Sequence, residues 1–200
     1  MTLRPELRQE LLRRRDLDQA LLHRMYGKRV DADLQERLDT CTRENTEWLR
    51  GVIRQWGWPG RLLVGEDGAV AAWLLAQHSD HDLAFQRECL NLLEVAVANG
   101  DAGKKYLAHL TDRVMVAERG TQIYGTQFTL GKHGPEPQPI EDPAAVERRR
   151  SEMGLAPLAA YRSLMWPVFV LPLGRMIVVS ACRKGWAAAR SLWSGARRAP

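Results

Sequence analysis

Between Asp33 and Trp56 the chain sets Leu34, Leu38, Cys41, Trp48 and Val52 at three- and four-residue spacing, then meets Gly57-Trp58-Pro59-Gly60. A stripe of that period is the core-facing side of an amphipathic helix. Proline cannot extend the hydrogen-bond ladder and glycine favours turns, so the helix must stop at that corner. A helix of this length, with one apolar face, has to be covered by others. This single feature points to a helical body.

The flanking sequence supplies the other helices. A first helix is expected over about residues 5–25, with Pro5 suited to its first turn. A third, rich in Ala and Leu, covers about 67–78, and a fourth about 83–98. Ser79, Asp80 and Asp82 are N-cap candidates for the fourth, and Asn99-Gly100 closes it. A fifth helix runs over about 102–118. Residues 121–130 then alternate, with Ile123, Tyr124, Thr126, Phe128 and Thr129, which predicts a short strand. Gly131 to Pro139 forms a turn, and Gln138-Pro139-Ile140 is the expected return partner. Asp142-Pro143 starts two short helices, near 143–153 and 157–164. The expected fold is mainly α, a bundle-like single domain over residues 1–164 with one β-hairpin near 121–141.

Charge is unevenly placed. No acidic residue follows Glu152, whereas Arg162, Arg175, Arg183, Lys184, Arg190, Arg197 and Arg198 do; these seven exceed the whole surplus of +5 and leave residues 1–152 at −2. The domain is therefore not a basic nucleic-acid reader. Residues 165–200 are an apolar and then basic extension. Pro167, Pro172, Gly174 and Arg175 interrupt its apolar part, which argues against a membrane span. Weak contact with an anionic membrane surface, with Trp186 and Trp193 at the interface, is the membrane reading it allows. Cys41, Cys89 and Cys182 form neither a disulfide framework nor a zinc pattern, and Arg13-Arg14-Arg15 leads into no apolar run. A cytoplasmic protein is expected.

Polar residues interrupt four of the apolar stripes. Asp18 falls on the face of Leu7, Leu11 and Leu22; Asn45 on that of Cys41, Trp48 and Val52; His78 follows Ala71, Leu74 and Leu75; and Arg113 lies among Tyr106, Leu110 and Ala117. Buried polar groups cost roughly 1–3 kcal/mol each when unpaired, so each needs a partner. The purely structural explanation is that Asp18 pairs with Arg113, Asn45 bonds backbone, and His78 caps carbonyls. The functional one is a shared polar cavity.

Several segments resemble an uncharacterised bacterial domain family: Gly57-Trp58-Pro59 with Leu63-Val64-Gly65, Gln77-His78-Ser79-Asp80, Leu110-Thr111-Asp112-Arg113-Val114, Gln122-Ile123-Tyr124-Gly125-Thr126-Gln127 and Pro139-Ile140-Glu141-Asp142-Pro143. The resemblance covers about residues 5–163. It implies the domain boundaries and the candidate positions, with Ser79 standing where the family has Ala, and it supplies no chemistry.

The chemistry expected of these residues follows from their types. Histidine ordinarily titrates nearest neutral pH, so His78 is the candidate general acid or base, with Asp80 as its orienting carboxylate or as a helix cap. Arg113 suits a bidentate clamp on a carboxylate or phosphate. Asp18, Asn45, Gln77, Asp112, Tyr124, Thr126 and Gln127 are candidate ligand-binding residues, with Tyr124 and Thr126 on one face of the expected strand and Gln127 on the other. His78, Asp80, His81 and Asp82 are read as turn caps and not as a metal site. A cytoplasmic enzyme acting on a small polar or anionic substrate is the first expectation. A non-catalytic binding module for a small ligand or peptide is the second, and a membrane-surface adaptor working through the tail is the third. No cofactor and no oligomeric state is indicated.

Overall fold

The computed structural model describes residues 4–25 and 32–170. Among them are seven α-helices, α1 (Pro5–Met25), α2 (Ala32–Trp56), α3 (Arg61–Gln77), α4 (Leu83–Ala98), α5 (Lys104–Arg119), α6 (Val146–Glu152) and α7 (Leu158–Val170), and two strands, β1 (Phe128–Gly131) and β2 (Gly134–Pro137). The described residues are mainly α with a single antiparallel hairpin. It divides into two compact units, residues 1–110 and 111–200, and the division falls within α5. Most of the basic extension lies outside the described residues; no helix among the described residues is long and apolar enough to cross a membrane.

In the first unit α3 is the central element and packs against α1, α2 and α4. Its sequence explains that position: Ala71 through Gln77 are buried without interruption, and a helix apolar all round must be enclosed. The helix starts earlier than its Ala/Leu-rich part suggests. Its first turn begins at Arg61 and is broken at Gly65 (φ 76°, ψ 170°), a conformation open essentially to glycine alone. On α2 the buried residues are Leu34, Leu38, Cys41, Asn45, Thr46, Leu49, Val52 and Ile53, so Leu49 takes the interior place expected of Trp48, which is only half-buried. Arg8 of α1 grips the Asp67 carboxylate of α3 with both Nε (2.8 Å) and Nη2. The corner after α2 buries the Trp58 indole.

Gly60 caps α3 with no side chain of its own, and Asp101, from the turn between α4 and α5, stands in. The Asp101 carbonyl accepts from Arg61 N at 2.9 Å and its carboxylate from Leu62 N at 2.7 Å. At α4 the cap is Asp82, which accepts from Phe85 N at 3.0 Å and is held by Arg50 Nη2 at 2.5 Å.

The second unit contains the expected hairpin in a shifted register. β1 pairs with β2 from Phe128 opposite Pro137 to Gly131 opposite Gly134. Residues 121–127 are not a strand, and Gln138–Ile140 does not return as its antiparallel partner. One isolated parallel bridge, Gln122 with Ile140, replaces that pairing. The reason is local: Gly125 adopts φ +68°, and from Ile123 to Thr126 the side chains of Asp112 and Arg150 bind the backbone, while backbone bonds to residues 138–141 are made only at Gln122 and Gln127, so Tyr124, Thr126 and Gln127 do not alternate across a sheet. A Cβ on Gly125 would also meet Leu158 and Ile140 at 2.9 and 3.0 Å. Asp142, in the left-handed region at φ 49°, turns the chain into Pro143 and a 3-10 turn ahead of α6. α7 lies against β2, with Arg162 Nε donating to Pro135 O at 2.8 Å and Tyr161 edge-on to Phe128.

Candidate functional site

The four polar residues on apolar stripes, Asp18, Asn45, His78 and Arg113, are all buried. Two of them meet. Asp18 comes from α1, on the face of Leu11 and Leu22, and His78 caps the C-terminus of α3, its backbone amide bonded to Leu74 and Leu75 carbonyls. Their side chains join through His78 Nδ1 and Asp18 Oδ2 at 2.7 Å, with Asp18 wholly buried and His78 6% exposed. Gln19 Nε2 donates to the same carboxylate oxygen at 3.0 Å. Asp18 Oδ1 and His78 Nε2 are buried with no hydrogen-bond partner. The Asp18 carboxylate at Nδ1 orients the ring, and Nε2 is the ring nitrogen outside that pair.

The turn carrying His78 is fixed from several sides. Gln86 of α4, itself buried, donates Nε2 to Gln77 O and Asp80 Oδ1, both at 3.1 Å. Ser79 Oγ donates to Leu75 O at 3.0 Å and lies 2.8 Å from Thr46 Oγ1 of α2. The orienting carboxylate on His78 is therefore Asp18 and not Asp80, whose carboxylate is turned toward Gln86. His78 does not cap carbonyls with its ring. Asn45 accepts from Arg14 Nη1 at 3.0 Å and contacts Cys41 Sγ at 3.5 Å, so it serves the α1–α2 contact and not backbone. Gln77 is wholly buried, and neither atom of its amide has a partner.

Asp112, Tyr124, Thr126 and Gln127 lie in the second unit and form a network of their own. Asp112 Oδ1 accepts from Ile123 N (2.8 Å) and Tyr124 N (2.9 Å); its Oδ2 accepts from Thr126 N (2.8 Å) and Thr126 Oγ1 (2.9 Å). Burial pushes the Asp112 carboxyl above its ordinary range against the pull of these bonds. Gln122 closes the same loop: its Oε1 accepts from Gln127 N at 2.8 Å and its Nε2 donates to Gln127 O at 2.9 Å. Arg113 Nη1 stands 3.4 Å from Gln127 Oε1. Arg150 holds the loop's other side, with Nη1 donating to Tyr124 O at 2.6 Å and Nε to Ala156 O at 2.7 Å.

Gln86, Gln122 and Arg150 are buried polar residues absent from the sequence expectation. The rule that selects Asp18 also selects two of them. Gln86 shares a face with Leu90 and Leu93, and Arg150 stands one turn after Val146, all buried. Gln122 lies outside any helix, so no helical stripe marks it.

The model of a family of unknown function, DUF6624, matches residues 5–173 of the chain. No curated protein and no solved structure matches it.

Proposed function

The chain belongs to that family, and we propose that it is a bacterial, cytoplasmic enzyme in which His78, oriented by Asp18, moves a proton on a small polar or anionic substrate. The observation that carries this reading is the 2.7 Å Asp18–His78 pair with its outer nitrogen, Nε2, buried and unpartnered. An imidazole so held can exchange a proton at Nε2, which is general acid–base work. Arg113, a buried guanidinium of the second unit, enters as a separate claim: it suits an anionic ligand group. The cytoplasmic placement is supported by Cys41 and Cys89, which are buried free thiols.

Thermal-shift screening of the whole chain against metabolites and metals supplies the ligand. With a hit in hand, His78→Ala should abolish turnover while changing affinity only a few-fold. Asp18→Asn should lower kcat by roughly 10²–10⁴-fold, because it removes the carboxylate that orients the ring. Equal loss of affinity and turnover in His78→Ala would instead favour a binding module without catalysis. Full turnover in that variant would end the enzyme reading as stated.

A further inference from the structure

Another face of α3 carries polar groups that proton transfer at His78 does not use. Trp73 and Gln77 are four residues apart and therefore share a helix face. Trp73 is fixed there by aromatic contacts: its ring centroid lies 4.8 Å from that of Tyr106 and 5.9 Å from that of His109, the latter edge-on. Its indole Nε1 is buried and unpartnered, as are both the oxygen and the nitrogen of the Gln77 amide one turn later.

The two side chains thus offer a carboxamide and an indole donor, all uncharged, on one buried surface beside aromatic rings. An unsatisfied carboxamide in the interior is costly, and an apolar side chain of similar volume would fill the place without that cost. Proteins hold such costs where function requires them. A glutamine amide presents a donor and an acceptor in one plane, which matches a planar edge bearing the complementary pair, as in glutamine contacts to a purine edge.

We propose that Gln77 and Trp73 form a recognition edge for an uncharged planar group carrying a hydrogen-bond donor and acceptor side by side, as an amide, a urea or a nucleobase does. The assignment rests on the reading of neighbouring His78 as part of a ligand site and narrows its substrate class.

The test uses the full ¹⁵N-labelled chain, with the Trp73 indole resonance identified by its loss in Trp73→Phe. Uracil and acetamide should move that resonance saturably, whereas acetate and phosphate should not. Gln77→Leu should remove the response and leave the ligand-free Tm unchanged or raised. The proposal is overturned if the neutral probes produce no shift or if the anions produce it instead. A fall of the ligand-free Tm in Gln77→Leu by more than a few degrees also overturns it, since that would make the amide a structural group. None of these readouts needs turnover, so a failure of His78 chemistry leaves them intact. Conversely, His78-dependent turnover of a screened metabolite survives their failure.

Discussion

Thr126 gives both its amide and its hydroxyl to one oxygen of Asp112, while Ile123 and Tyr124 give their amides to the other. Asparagine at position 112 would keep one acceptor and turn an NH₂ toward donors, so Asp112→Asn should destabilise the protein by about 2 kcal/mol. The pH dependence has a definite sign. Burial raises the folded-state pKa of Asp112 above its unfolded value near 4, so the folded chain holds this proton more tightly. Stability attributable to the group is therefore greatest below that value and falls as pH rises through the raised one. The gap between wild type and Asp112→Asn in urea melts should shrink from pH 4 toward neutrality; a gap that widens would contradict the burial argument. At this scale the sequence is informative about which side chains are buried and poor on their partners. A polar residue on an apolar stripe marked Asp18, Asn45, His78 and Arg113, but the bond from Asp18 to His78 spans 60 residues and no local spacing encodes it. Arg150 is the last of three consecutive arginines, and it alone of the three is buried, one turn after Val146.

Helix boundaries were largely readable because stripes and stop signals act within a few residues. α1, α2 and α4 run as the spacing predicts, and Asp82 is the working cap of α4. The start of α3 was not readable, since its cap is supplied from forty residues away. Gly60 has φ −78° and ψ −177°, which any residue can adopt, yet a Cβ there would lie 1.9 Å from Asp101 Oδ2. Gly60→Ala should therefore act only by displacing the capping carboxylate. Asp101→Ala should cost about 1 kcal/mol, the usual value of a lost cap, and Gly60→Ala a similar amount. In the double variant the second change should add little, and full additivity in chemical denaturation would disprove the coupling. The segment 121–127 was read as a strand for a related reason. Its alternation is real, but between Ile123 and Thr126 the side chains of Asp112 and Arg150 bind the backbone, and bonds to the segment 138–141 are made only at Gln122 and Gln127.

The chain divides into two compact units, and the family match spans residues of both. Periodicity indicates helices but not how contacts partition among them. Cys41 and Cys89 both lie in the first unit, and burial pushes each thiol above its usual range, Cys89 far above it. The thiolate is the reactive form, so both should be inert toward a disulfide reagent at neutral pH until that unit opens. In a Cys182→Ser background, labelling should show no fast-reacting thiol in buffer and two after denaturation; rapid labelling of either in buffer would refute the packing described. In the second unit, the loop from Ile123 to Thr126 turns three backbone N–H groups toward one point, the arrangement by which a protein makes an anion nest. Here the anion is the chain's own Asp112, covalently tethered and at full effective concentration, so free phosphate or carboxylate finds those amides already taken.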